Sequence, residues 1–321
     1  MTHLAVFRWL TEPFHYEFMQ RALVGCVLVG FTNGFLSAFI VLRRLALLAD
    51  ALSHSLLPGL AVGAIFFGLA PLGLFSGAVV AALLVGIGGQ LVARSSRLKD
   101  ETAIGALYTV SFAVGIILLK YSRVPVDLTH FLFGNILGVS NGDLWIIYAV
   151  GALSVISLVS LQRPLLLALF EPSVAASLGV PVARLNYLLI TLIVLAMIAS
   201  LQAVGVVLSV GLLVLPAATV YLLSDSYRAL SWYGGLLGAS GACLGLLLSY
   251  WTDIPSGPAI VLVLGLVFVL ALIFGPRYGV LARYLRPGHR HGESLARWKQ
   301  PPGTSQADPA ATGAAEISIL R

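Results

Sequence analysis

The sequence predicts an all-α bundle of membrane-spanning helices with eight or nine crossings. Of its 321 residues, 59% are hydrophobic and only 10% are charged, and the mean hydropathy is +0.98. A soluble protein carries about 25% charged residues, because its surface faces water. Nine apolar stretches also meet or approach the roughly 20 residues that a helix needs to cross a bilayer. These observations exclude a soluble enzyme, a secreted disulfide scaffold and a disordered chain.

The chain divides into three parts. The first 21 residues include four charged residues and lack the apolar core and cleavage site of a signal peptide, so we predict an interfacial lead-in at 1–21. Residues 22–285 form the predicted membrane domain. The tail at 286–321 is rich in proline, glycine, alanine and charge and has no apolar periodicity, so we predict that it is disordered.

The membrane domain contains nine predicted crossings. Two of them share residues 184–223 with almost no room for a turn, and the count drops to eight if one of the two is re-entrant. Many glycines lie four residues apart, which lets helix backbones approach closely in a membrane. The crossings are 22–42, 45–69, 71–93, 103–120, 143–161, 185–203, 204–223, 229–250 and 257–275. The glycine pairs are Gly30/Gly34, Gly59/Gly63, Gly73/Gly77, Gly234/Gly238 and Gly241/Gly245.

The basic residues predict the orientation, because Lys and Arg collect in cytoplasmic loops. With the N-terminus outside and the C-terminus inside, ten basic residues fall in inner loops and four on the outer side. The net charge of +6 is therefore typical of a membrane protein, and we expect no nucleic-acid partner. The inner residues are Arg43, Arg44, Arg94, Arg97, Lys99, Arg163, Arg184, Arg228, Arg277 and Arg283, and the outer ones are Arg8, Arg21, Lys120 and Arg123.

Two segments between crossings are distinctive. The stretch 121–142 is too polar for a simple crossing and lies on the predicted outer side. The stretch 162–183 lies on the inner side and is predicted to form a short helix. Pro172 suits its first position, and Gly179 followed by Pro181 is a stop signal.

One acidic residue and one histidine fall in the interior of the predicted crossings, away from their ends. They are Asp50 and His54, four residues apart and therefore on one face of a helix. Buried charge is costly in a bilayer and usually serves an ion or substrate path. Pro58 follows four residues later and removes a helical N–H, which predicts a kink beside the pair.

A carboxylate oxygen with an imidazole nitrogen suits Mn²⁺, Fe²⁺ or Zn²⁺. Two ligands are too few for a closed site, but a two-fold dimer would bring two copies of the pair to a shared axis. The alternative is structural: Asp50 pairs with Arg43 or Arg44, and His54 bonds a neighbour. The sequence has no phosphate-binding G-x-x-x-x-G-K-[ST] motif and no catalytic motif, so a transport pore powered by another subunit fits better than an enzyme.

The run RRLALLADALSHSLLPG at 43–59 resembles the permease subunits of ABC-type manganese, zinc and iron uptake systems. The resemblance covers about 20–280. Further matching runs are DETAIG at 100–105, LFGNIL at 132–137, ASLGVP at 176–181, LQAVGV at 201–206 and LVLPAAT at 213–219. The position of Asn135 varies among related sequences, so no role is assigned to it.

The resemblance implies a homodimeric permease with a type II-like importer fold in the bacterial cytoplasmic (inner) membrane. Its partners would be two cytoplasmic ATP-binding-cassette ATPase subunits, an extracytoplasmic metal-binding protein and membrane lipid. No cofactor would be bound permanently, because Mn²⁺, Zn²⁺ or Fe²⁺ is the cargo. In that family the D-x-x-S-H motif is associated with the metal, and here its residues are Asp50 and His54.

The inner helix at 171–179 then resembles the coupling helix that docks on the ATPase. Its expected contacts are Glu171, Ala176, Leu178 and Gly179. An amphipathic connector lying on the membrane is the alternative for this segment. For the whole protein, the alternative is a proton-coupled secondary metal transporter with Asp50 as the proton carrier.

Overall fold

The computed structural model describes residues 12–68, 70–122, 134, 136–276 and 279–281. Within these ranges the chain forms helices and turns without a β-strand, which confirms the all-α bundle. The predicted tail at 286–321 and Asn135 lie outside the described residues. The helices are α1 (Glu17–Leu42), α2 (Ala46–Ser55), α3 (Leu57–Phe67), α4 (Pro71–Ser95), α5 (Asp100–Ser122), α6 (Asn141–Ser160), α7 (Gln162–Phe170), α8 (Pro172–Ser177), α9 (Val182–Leu223), α10 (Tyr227–Thr252) and α11 (Ser256–Phe274), with 3₁₀ turns at Glu12–His15 and Ile136–Gly138.

Nine segments of the described chain are long and apolar enough to cross a membrane. They follow the predicted crossings, with α2 and α3 sharing one crossing and α9 supplying two. Within the predicted lead-in at 1–21, α1 begins at Glu17, whose carboxylate pairs with Arg21 in the next turn. Within 162–183, the predicted short helix is α8, which begins at Pro172 as expected, and a further helix, α7, precedes it.

The α9 segment is a hairpin. Gly205 has φ 79° and ψ 170°, a non-helical conformation nearly restricted to glycine. The hydroxyl oxygens of Ser200 and Ser209 lie 2.5 Å apart, although nine residues of continuous helix would separate them by about 13.5 Å. The Ser209 hydroxyl also donates to the carbonyl of Met197 at 3.3 Å. The chain therefore folds back at Gly205, which supports two crossings within 184–223.

Gly134 in the predicted outer segment packs against this reversal. It has φ 65°, and a Cβ there would overlap the backbone of Val204 and Gly205. After this segment, α6 begins at a capping box in which the Ser140 hydroxyl accepts the Asp143 N–H at 3.2 Å. The Asp143 carboxylate accepts the Ser140 N–H at 3.0 Å in return. Gly134 is thus packed on the reversal of α9, and the start of α6 is closed by its own capping box.

The paired glycines bring helices into backbone contact, as predicted. Gly30 and Gly34 of α1 face Gly234 and Gly238 of α10, and a Cβ on Gly30 would lie 2.5 Å from the Gly238 carbonyl oxygen. In the same way, Gly59 and Gly63 of α3 face Gly73 and Gly77 of α4. Gly241 and Gly245 of α10 pack on Leu264 and Ile260 of α11.

Helix α1 lies at the centre of the bundle. Of its most apolar 18 residues 72% are buried, whereas the corresponding value for α5 is 17%. Phe35 and Phe39 of α1 are 2% and 1% exposed and belong to the main apolar core. α1 packs on α6, α9 and α10, while α2 and α3 pack on α4 and α5 at the side of the bundle. Asp50 and His54 therefore belong to a peripheral layer of the single chain.

Candidate functional site

Asp50 and His54 lie on one face of α2. The Asp50 Oδ1 and His54 Nε2 atoms are 3.9 Å apart, and their side chains are 58% and 35% exposed. Between them Ala51, Leu52 and Ser53 are buried. The pair therefore opens away from the core of its own chain.

No arginine pairs with Asp50 in the described part of the chain, where its one ion-pair contact is His54. Arg43 instead donates from Nη2 to Asn186 Oδ1 at 2.5 Å. Burial lowers the pKa of Arg43, and the nearby negative charge of Asp100 partly opposes that shift. The geometry thus differs from the structural alternative, in which Asp50 forms an ion pair with Arg43 or Arg44.

The helix carrying the pair is divided at Leu56, two residues before Pro58, and Pro58 is near the start of α3. A proline suits this position because the first N–H groups of a helix have no internal acceptor. The Ser55 carbonyl at the break accepts the hydroxyl of Ser111 from α5 at 2.9 Å. The Ser55 carbonyl at the break is therefore satisfied across the α2–α5 contact.

Phe112, also on α5, packs edge-on against the His54 ring with 5.7 Å between ring centroids. Nothing in the sequence marks Ser111 and Phe112, because both fall inside an ordinary apolar stretch. Ser53 and Ser55 flank the histidine, but their hydroxyls donate to the Asp50 and Leu52 carbonyls at 2.6 and 2.8 Å. Neither serine is arranged as a nucleophile beside His54.

The ligand set on one chain is incomplete. No cluster of three or more His, Cys, Asp or Glu side chains occurs in the ranges given above. One carboxylate and one imidazole suit a divalent transition metal, but they fill only two of its coordination positions. The Asp50 side chain is exposed and the His54 side chain is half-buried, so the pair is accessible from outside this chain.

The segment expected to contact another subunit has a fixed shape. The Val180 N–H donates to the Ala175 carbonyl at 2.9 Å and the Gly179 N–H to the Ala176 carbonyl at 3.0 Å. With Gly179 at φ 77°, these bonds form the Schellman motif that closes a helix. Ala175 is buried in the core, whereas Glu171, Ala176, Leu178 and Gly179 are all exposed.

Comparison with known proteins identifies the family. Residues 15–275 match the sequence model of the ABC 3 transport family. The chain belongs to the ABC 3 transport family. This confirms the resemblance to ABC-type permease subunits and makes the chain a multi-pass membrane protein of a transporter.

The relatives of this ABC 3 family member match over most of their length. The manganese transport system membrane protein MntC of Halalkalibacterium halodurans is 40% identical over 286 residues, which cover 88% of this chain and 95% of that protein. The probable iron transport system membrane protein of Haemophilus influenzae is 33% identical over 274 residues, 85% of this chain and 96% of that protein. The solved structure of PsaBC from Streptococcus pneumoniae in complex with Fab is 33% identical, with a TM-score of 0.76 over 87% of this chain and 99% of the other.

Proposed function

We propose that this ABC 3 family member is the permease subunit of an ATP-driven importer of manganese, zinc or iron. Two copies would form a homodimer, and the metal would pass between two Asp50/His54 pairs at the dimer axis. The observation that carries the proposal is the exposed pair on α2, which offers one oxygen and one nitrogen ligand on the same face. The names of the manganese and iron relatives support a divalent metal as cargo.

The residues of this chain would do three things during transport. The Asp50 carboxylate and the neutral His54 imidazole would replace water around the cation, and Phe112 would orient the imidazole through its edge contact. The break at Leu56 would let α2 and α3 change their angle without breaking a regular helical hydrogen-bond ladder. Two cytoplasmic ATPase subunits would supply ATP hydrolysis, so the permease itself needs no catalytic group.

The exposed surface of residues 171–179, which are α8 and its flanking residues and are here called the α8 segment, supports a role as the coupling helix. Leu178 is 69% exposed and Val174 is 45% exposed, although the neighbouring Ala175 is completely buried. A partner that covers Glu171, Ala176, Leu178 and Gly179 would bury this apolar surface. The N-terminus would lie outside and the C-terminus inside the bacterial inner membrane, with an extracytoplasmic metal-binding protein delivering the cation.

The test is metal uptake by the permease reconstituted in liposomes with its ATPase and its metal-binding protein. Asp50→Asn and His54→Gln should each lower ATP-dependent Mn²⁺ uptake by at least about tenfold. Loss of even a group that supports a metal ligand typically lowers metal affinity or activity about 10–100-fold, and these two residues are the proposed ligands themselves. Asp253→Asn is the matched control, since Asp253 is exposed beyond α10 and has φ 54°, which asparagine tolerates. Wild-type uptake by the doubly changed Asp50/His54 protein would refute the site.

Two further measurements separate the remaining alternatives. Uptake driven by a proton gradient in ATP-free liposomes would favour the secondary transporter and refute the ATP-driven mechanism. Stimulation of ATP hydrolysis by Mn²⁺, Zn²⁺ and Fe²⁺, compared at equal free concentrations, would identify the preferred metal.

A further inference from the structure

A side-chain hydrogen bond joins the turn between α1 and α2 to the beginning of α9. Arg43 Nη2 donates to Asn186 Oδ1 at 2.5 Å, across 143 positions of sequence, and both side chains are partly buried. Asn186 lies one turn inside α9, which begins at Val182. Arg43 is the residue that follows the last residue of α1.

Each end of this contact lies near a helix-ending turn that is closed by backbone hydrogen bonds. On one side, the Leu45 N–H donates to the Ile40 carbonyl at 2.8 Å and the Arg44 N–H to the Val41 carbonyl at 3.1 Å. With Arg44 at φ 58°, these bonds form a Schellman motif that fixes the direction in which α2 leaves α1. On the other side, the Gly179 motif fixes the direction in which α9 leaves α8.

Each turn adjoins one functional element of the proposed permease, the metal-binding helix α2 or the segment that docks on the ATPase. α2 begins three residues after Arg43 and bears Asp50 and His54. α9 begins three residues after Gly179, the end of the segment proposed to dock on the ATPase. A movement of α8 would therefore be transmitted to Asn186 through the Gly179 turn. A movement of Arg43 would be transmitted through the Arg44 turn to α2, which bears the metal pair.

The surroundings make this contact strong. The low polarity around Arg43 that lowers its pKa also strengthens its hydrogen bond to the Asn186 amide. A second arginine contacts the same turn of α9, because the Arg94 guanidinium lies 4.9 Å from the ring centroid of Tyr187. Arg94 belongs to the last turn of α4, so the start of α9 is held from two sides.

We infer that the Arg43–Asn186 contact transmits movement of the α8 segment to the helix that carries Asp50 and His54. Asn186 is then a positioning residue, which acts on the metal pair through Arg43 and α2. The inference rests on the proposed function, since it takes α8 as the ATPase contact and α2 as the metal helix. It predicts that breaking the contact separates ATP hydrolysis from metal movement.

The experiment measures Mn²⁺ imported per ATP hydrolysed by the complete complex in liposomes. Asn186→Leu keeps the size of the side chain and removes the acceptor. It should lower the ratio about threefold to tenfold while ATP hydrolysis continues, because a hydrogen bond to a charged group contributes enough to shift an equilibrium by about tenfold. The exchanged pair, Arg43→Asn with Asn186→Arg, restores an arginine–asparagine contact and should recover part of the ratio.

Arg44→Asn is the matched control. It removes the same charge from the same turn, and asparagine accepts the positive φ of that position, so its ratio should equal that of the wild type. A wild-type ratio in Asn186→Leu would overturn the inference and leave the proposed function standing. An equal loss of ATP hydrolysis and uptake would also overturn it, because Asn186 would then be needed only for assembly. If the wild-type complex imports no metal, the proposed function falls and the inference falls with it.

Discussion

The close contact of α1 with α10 leads to a quantitative prediction for Gly30→Ala. The added Cβ would lie 2.5 Å from the Gly238 carbonyl oxygen, 2.8 Å from the Gly238 carbonyl carbon and 2.9 Å from the Ala239 Cα. Carbon atoms in good contact are about 3.5–4.0 Å apart, so the helices must separate by about 1 Å. Overpacking of this kind costs about 1–3 kcal/mol. We expect the free energy of unfolding to fall by that amount.

The assay is the thermal midpoint of the purified protein in detergent, with Gly265→Ala as the control. Gly265 is also helical, but a Cβ there would meet no atom within 4 Å. Alanine stabilises a helix by roughly 0.5–1 kcal/mol relative to glycine, so the control should be as stable as the wild type or more stable. If Gly30→Ala melted at or above the temperature of Gly265→Ala, the proposed backbone contact of α1 with α10 would be wrong.

Three further changes test other parts of the structure. Gly205→Ala should destabilise the protein by about 1–3 kcal/mol, since the conformation at φ 79° and ψ 170° excludes a side chain; an unchanged thermal midpoint would contradict the hairpin. Leu178→Asp should abolish co-purification of the ATPase and leave the midpoint of the isolated permease unchanged, because Leu178 is 69% exposed; retained co-purification would contradict the docking role of α8. Phe112→Leu should raise the KM for Mn²⁺ uptake about twofold to tenfold, since an aromatic pair contributes about 0.5–1.5 kcal/mol; an unchanged KM would show that the ring does not orient His54.

The nine crossings could be predicted from the sequence because lipid imposes a simple rule, a run of apolar residues long enough to span the bilayer. The glycine contacts were predictable for a similar reason, since small residues four apart mark a close helix interface. The backbone conformation that reverses the chain at Gly205, between the predicted crossings 185–203 and 204–223, was not predictable, because the apolar run continues through it. The sequence of such a run does not show whether a glycine in it has helical backbone angles or the positive φ found at Gly205.

The candidate pair was predictable because Asp50 and His54 are rare residue types in an apolar crossing. Its surroundings were not. Phe112 contacts the His54 ring, and Ser111 the Ser55 carbonyl, only through the packing of α5 on α2. Asn186 contacts Arg43 across 143 positions. Contacts of that range depend on helix placement, which local sequence patterns do not specify.

The central position of α1 has a consequence for how the protein is made. α1 is the first of these crossings to be synthesised, yet α10, whose glycines complete its packing face, begins only at Tyr227. The Ala217 N–H, which donates to the Ser37 hydroxyl at 2.8 Å in the finished fold, arrives earlier, with α9. The newly made α1 must therefore remain in the translocon or in lipid with its glycine face uncovered until α10 is inserted. Chains truncated before α10 should leave the glycine face of α1 uncovered and should be degraded by membrane quality-control proteases. Folding of the membrane domain is therefore completed only when the C-terminal third of the chain has been inserted.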